Sequence, residues 1–443
     1  MVTRRKLLQW GGGAAAGTLV LWMSGVLRMK KRRPGRHVKT ITADGNAAVS
    51  HIYLAKNGSP RENMNQVLDM MGGIRSVIGD DDIVIIKPNG QWRYHGNTNT
   101  DTISGFIDMI LAIPGFRGEV IVAENHHDAS DNMRGWTTPH RNGRFNLNEL
   151  VAHYQASGFP NVTKCHWRDA GPNPHPLQFP GGGGKRVSGP EDGDGYVWSA
   201  YNYEYLGRKV KMSYPVFTSA FSGIRIDFQR GAWKNGKYLR NRPVRFVNFA
   251  VLNHHSRTFG VTASVKNYLG VVDMTCGEQG TEPPGYYNFH YIAVGWSRQS
   301  GFGRWMETVK QHPVMRQSRI LSKGIRKSGP VMPEAMGGAV GYFMNTIRKA
   351  DLNILAAEYC GHEDRLSAPR HTRTVLASTD PVALDFWASK HVLCPLGGRR
   401  ARYNDPENRT GPFRRMLEGC HAQGIGILDE KRMKVHQYDF QVG

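Results

Sequence analysis

The chain has 443 residues, 40% hydrophobic and 10% aromatic, with 52 Gly that follow no period. That composition suits a folded protein with a sizeable core and excludes collagen-like or largely disordered chains. Residues 1–37 hold nine Lys/Arg and no acid, so the formal charge of +22 leaves +13 on the remainder.

A body of that charge attracts anions: small acidic substrates, phosphates, anionic lipid or nucleic acid. No nucleic-acid recognition motif accompanies the charge, and the basic residues are scattered apart from 304–327 and 399–402, so nucleic acid is not the expected partner. The five cysteines (Cys165, Cys276, Cys360, Cys394, Cys420) form no C-x-x-C pair, which removes zinc-ribbon, thioredoxin and ferredoxin motifs. Buried apolar thiols are expected, with one disulfide if the protein is exported.

The chain starts MVTRRKLLQW. Thr3, Arg4, Arg5, Lys6, Leu7 and Leu8 fill the twin-arginine export pattern, and a weakly hydrophobic Gly/Ala-rich run follows to Leu27. No Ala-x-Ala cleavage site follows, and six basic residues occupy 28–36. The run 7–27 is long enough to span a bilayer. Residues 1–37 are therefore expected to be a twin-arginine-type signal or membrane anchor with a basic tail. The export machinery and the membrane are the expected partners there. The expected location is the periplasm or extracytoplasmic face. The positive-inside rule supplies the alternative, the cytoplasmic face of the membrane.

Residues 38–49 read as a linker, and 50–443 as a single α/β domain. Ser50–Ala55 is a predicted strand, and helical spacing of Met64, Val67, Leu68 and Met71 predicts a helix over 60–78. The continuous apolar run Asp82–Ile86 predicts a strand buried on both faces of a parallel sheet. A helix over 102–112 and a strand over 119–123 complete a β-α-β unit. Further on, 145–157 reads as a helix, 172–195 as a Gly/Pro-rich loop, and 209–216 and 223–228 as strands. Asn235-Gly236 signals a hairpin, 245–252 is a strand, and 261–269 a helix. The segment 276–329 reads as an aromatic and basic insertion, in which Tyr286, Tyr287, Phe289 and Tyr291 alternate partly, as in a strand or lid. A helix over 337–349, strands over 352–357 and 374–377, and a helix over 380–391 capped by Asp380 close the pattern. The expected fold is a mostly parallel sheet with helices on both faces.

Ligands bind such sheets at the C-terminal ends of the strands. Those ends hold Lys87-Pro88-Asn89, Glu124-Asn125-His126-His127-Asp128 and Asn253-His254-His255. The run Gly181–Lys185 fails the Walker spacing, and no G-x-S-x-G, H-E-x-x-H or strand-linked G-x-G-x-x-G occurs.

Three segments together carry a resemblance: Ile86-Lys87-Pro88-Asn89; NHHSRTFGVTASVKNYLG (Asn253–Gly270); and ADLNILAA (Ala350–Ala357) with ASTDPVALDFWASK (Ala377–Lys390). In order and spacing this set resembles the family called domain of unknown function 362, over roughly 50–393. Many relatives carry ferredoxin-type cysteine clusters; this chain has none, so no iron–sulfur role transfers. The family's acidic-glycine segment is replaced by Glu358-Tyr359-Cys360-Gly361-His362. The layout His255, Gly260-Val261-Thr262, Lys266, Gly270 is more faintly similar to nickel-pincer lactate racemases, which implies a Lys and His set at a cofactor.

The candidate catalytic residues are His255, Lys266 and His127. Lys87, Asn89, Asn267 and Thr262 are candidates for holding substrate or cofactor. Lys266, just after a Gly-Val-Thr turn, would add its charge to a helix N-terminus as an anion clamp, with Lys87 as a second arm. The ordinary alternative is a Lys266–Asp385 salt bridge. His126, His127, Asp128 and His254, with Glu124 as a further oxygen donor, form a candidate divalent-metal set, although loop-end histidines also cap strands. The expected function is an enzyme acting on a small anionic molecule or cofactor by Lys/His chemistry. The alternative is a non-catalytic binding or accessory protein of an envelope redox system.

Overall fold

The computed structural model describes residues 49–90, 92, 94–125, 140–167, 186–273, 289–294, 331–365 and 369–441. The expected signal or anchor segment, most of the expected insertion, the run 181–185 and the His126–Asp128 corner lie outside them.

Strand β1 (Ser50–Lys56) leads into α1 (Pro60–Met70). The Ser59 hydroxyl accepts from the Glu62 amide, the Glu62 carboxylate accepts from the Ser59 amide, and Pro60 stands at the first helical position. The expected helix to Ile78 stops early because Gly72 and Gly73 adopt φ of 94° and 85°, outside helical space. Then come β2 (Ile83–Pro88), α2 (Thr100–Leu111, capped by Asn99), β3 (Glu119–Glu124), α3 (Leu147–Ala156) and β4 (Val162–His166).

A second sheet interrupts the α/β pattern. It consists of β5 (Arg186–Val187), β6 (Gly195–Tyr205), β7 (Arg208–Thr218), β8 (Arg225–Asp227), β9 (Gly231–Lys234) and β10 (Lys237–Tyr238), in the order β10-β9-β8-β7-β6-β5. The loop expected over 172–195 therefore gives way at its end to β5 and the start of β6. Asn235 and Gly236, both at positive φ, turn the expected β9–β10 hairpin.

The α/β pattern resumes with β11 (Val244–Val251), followed by a short hairpin of β12 (Asn253–Ser256) and β13 (Gly260–Thr262). Here the expected helix over 261–269 is corrected. Val261 and Thr262 are β-branched and pair with His254 and Asn253, so only a single helical turn, α4 (Ser264–Asn267), remains before a 3₁₀ turn. Phe289–Val294 is helix α5, not a strand, and Phe289 is buried. Helix α6 (Pro333–Thr346), β14 (Leu352–Cys360), β15 (Arg370–Ser378), α7 (Pro381–Ala388), the short α8 (Ala401–Asn404), α9 (Pro412–His421) and β16 (Met433–Asp439) complete the chain.

Among the described residues, eight strands form the main sheet in the order β16-β1-β15-β14-β11-β2-β3-β4. Of these only β15 runs against the rest, so the sheet is mostly parallel as expected. Alternation along β2 explains its unbroken apolar run. Val84 and Ile86 join a core with α1, α2 and α3, whereas Ile83 and Ile85 join a core with the second sheet, α6, α7 and α9. Among the described residues no helix is long and apolar enough to cross a membrane. Cys360, Cys394 and Cys420 are free thiols, of which Cys360 and Cys420 are buried.

The sheet topology sets the place for a site. From β2 the chain crosses by α2 to β3, moving toward one edge; from β11 it crosses by α6 to β14, moving toward the other. These crossovers pack on opposite faces, yet β2 and β11 are neighbours. Their C-terminal ends therefore flank the crevice where strand order reverses.

Candidate functional site

At that crevice the two lysines singled out from the sequence have opposite environments. Lys87, the penultimate residue of β2, is fully buried. Its ammonium donates to Glu124 Oε1 at 2.9 Å, Asn267 Oδ1 at 2.7 Å and the Pro88 carbonyl oxygen at 2.8 Å. Three donors meet three acceptors, so none is left for a ligand. The expected role of Lys87 as an anion-binding arm is therefore replaced by that of a strut joining β2, β3 and α4. Burial lowers the Lys87 pKa and raises that of Glu124, and their mutual attraction opposes both shifts. The other Glu124 oxygen accepts from the Gly90 amide.

Asn267 is similarly committed. Besides accepting from Lys87, it donates to the Lys87 carbonyl oxygen at 3.1 Å and to Asn248 Oδ1 at 2.8 Å. Asn89 ties β2 to β11, its Oδ1 accepting from the Val251 amide at 2.9 Å. Both asparagines still form part of the wall of a recess. Gly270 permits this packing. A Cβ there would stand 2.5 Å from Lys87 Nζ and 2.8 Å from Glu124 Oε1.

Lys266 is also buried, but it projects into that recess. Its Nζ lies 3.2 Å from His290 Nε2 and 5.6 Å from the centroid of the Phe259 ring. Among the described residues no carboxylate forms an ion pair with it. The alternative pairing with Asp385 is overturned, because Asp385 accepts from the Ser264 and Val265 amides, each at 2.8 Å. The same two bonds occupy amides at the start of α4, so the expected anion clamp at that helix N-terminus is overturned as well. Burial, then the charges of Arg365 and Lys87, push the Lys266 pKa down to about 7. Burial pushes Asp385 up to about 7 against those two backbone bonds.

Alternation along β12 separates the histidine pair. His255 faces the recess, with Nδ1 2.8 Å from Thr262 Oγ1 across the hairpin. Arg365 Nη1 lies 3.1 Å and 3.3 Å from its two ring nitrogens and donates to its carbonyl oxygen at 3.2 Å. Burial, followed by the charges of Lys266 and Arg365, holds the His255 pKa well below the usual imidazole value. The imidazole is therefore neutral at pH 7. His254 turns the other way, toward Asn404 Oδ1 at 2.7 Å. The other members of the candidate metal set, His126, His127 and Asp128, lie outside the described residues.

The recess measures about 420 Å³, including the space at its open mouth. Its working surface is formed by Lys266, His255, His290 and Trp92. Trp92 carries the Arg365 guanidinium over its ring at 3.8 Å. This surface combines a buried amine, two imidazoles and a nearby guanidinium, while the Glu124 carboxylate is neutralised by Lys87. It can attract an anion and move protons.

The sequence reading missed Arg365, His290 and Trp92. Arg365 follows the Glu358–His362 segment that departs from the family pattern, and His290 lies in the aromatic stretch without periodicity; neither position carried a spacing signal.

No curated protein and no solved structure matches the chain at a significant level. Residues 244–390, which include β11, His255, Lys266, Asn267 and Asp385, match the model of the family described as Domain of unknown function (DUF362), and this match supports that family.

Proposed function

We propose that this protein is an enzyme that binds a small anion in the crevice between β2 and β11 and acts on it with Lys266 and the flanking imidazoles. The observation that carries this reading is a buried lysine without a carboxylate partner among the described residues, facing a recess with His255 and His290. Lysine is almost never fully buried without a pairing group. A bound anion would supply the missing charge, and neutral His255 is suited to accept a proton. We also propose, from the Thr3–Leu8 pattern, that residues 1–37 direct the chain to the extracytoplasmic face of the membrane, with the apolar run as an anchor.

Titration calorimetry with a panel of small carboxylates and phosphates tests the site. At least one should bind, and both Lys266→Met and His255→Ala should weaken that binding while circular dichroism stays unchanged. Binding that survives both substitutions would overturn the assignment. Binding without turnover of any ligand would favour a binding or accessory protein over an enzyme. For the leader, a reporter fused after residue 37 should lose export when Arg4 and Arg5 are both changed to Lys.

A further inference from the structure

Resting on that reading of the crevice, we infer that the Lys266 amine forms an imine with the carbonyl carbon of a small 2-oxo acid. The argument begins with the contrast inside the molecule. Where this fold needs a buried structural lysine, at position 87, it surrounds the ammonium with three oxygens, one from a carboxylate. Among the described residues Lys266 has no such set: the contacts found there are the apolar Phe259 ring and the His290 Nε2 atom, and it lines the recess. An ammonium gains little there, whereas an uncharged amine beside an imidazole can act as a nucleophile. A pKa near 7 agrees with that geometry, since much of the amine is then unprotonated at neutral pH.

The surroundings also select the ligand. The Lys87–Glu124 pair balances its own charge, and the Arg365 guanidinium adds a further positive charge acting on Lys266. A carboxylate beside the reacting carbonyl would offset this positive field, and a simple aldehyde would not. A recess of about 420 Å³, part of it open mouth, suits a compact molecule.

In the step itself, the Lys266 lone pair attacks the carbonyl carbon, and the C=O π pair moves to oxygen. His290 takes a proton from the nitrogen and returns it to the oxygen, giving a carbinolamine. The C–O bond then breaks. The oxygen leaves as water carrying the two hydrogens of the original amine, and the C=N bond remains. No oxidant or reductant takes part.

The test uses the full chain with pyruvate at pH 7.5, borohydride reduction and peptide mass mapping, alongside calorimetry of pyruvate binding. We expect one reduced adduct, on the peptide containing Lys266, absent from Lys266→Arg. His290→Asn should slow its formation by about a hundredfold while pyruvate still binds. Pyruvate binding without an adduct, or adducts scattered over surface lysines, would overturn the imine and leave the anion site standing. If neither pyruvate nor any other small anion binds, both proposals fall.

Discussion

Lys87→Met keeps most of the side-chain volume and removes the charge. In the native structure the Lys87 and Glu124 side chains are 0% and 4% exposed, so water cannot replace the lost partner. The substitution leaves the Glu124 carboxylate with the Gly90 amide alone and deprives Asn267 Oδ1 and the Pro88 carbonyl of a donor. Breaking a buried pair in this way costs about 3–5 kcal/mol. Replacing both charged groups, Lys87→Met with Glu124→Leu, removes the stranded charge and should recover more than half of that loss. Lys266→Met deletes no ion pair found among the described residues and should leave stability unchanged or raised at pH 7.5. Urea unfolding midpoints of the four proteins, compared at constant m-value, measure these differences. A Lys87→Met cost below about 1 kcal/mol, or a Lys266→Met cost equal to it, would refute the division into structural and functional lysine.

Three other substitutions probe the same frame. Gly270→Ala places a methyl carbon against Lys87 Nζ and Glu124 Oε1, and should cost about 1–3 kcal/mol and abolish anion binding, as read by unfolding and calorimetry. Lys266 bears on pH dependence as well. Its folded pKa of about 7 lies below the ordinary 10.5, so between those values the unfolded chain binds more protons and stability rises with pH. Lys266→Met should flatten that rise in unfolding midpoints taken across the window. Asp385 has the opposite sign. Its pKa is raised from 3.8 to about 7, so the folded state binds more protons across that interval and its contribution falls as pH increases. Asp385→Asn should remove this slope and weaken anion binding, because one of the two α4 amides loses its acceptor and Lys266 is less firmly placed. Asp380→Ala removes the α7 cap that accepts from the Val382 and Ala383 amides, and should cost about 1 kcal/mol in the same assay without altering anion binding.

Features encoded by neighbouring residues were legible from the chain alone. The doubly buried run at Ile83–Ile86, the Asp380 cap and the Asn235-Gly236 turn each follow from side-chain periodicity or backbone preference within a few positions. So does the placing of the 87–89, 124–128 and 253–255 segments at strand C-terminal ends, since parallel strands carry their loops there. What each lysine does with its charge could not be read this way, because it depends on partners 37 and 180 residues away for Lys87 and 24 residues away for Lys266. The same limit hid how the strands read at 209–216 and 223–228 and the Asn235-Gly236 hairpin join β5 and β6 in a separate sheet, and hid the β12–β13 hairpin, whose apolar residues satisfy helical spacing about as well as strand alternation. Burial in the assembled fold, and the identity of the oxygens it brings to each ammonium, make one lysine a strut and leave the other facing the recess.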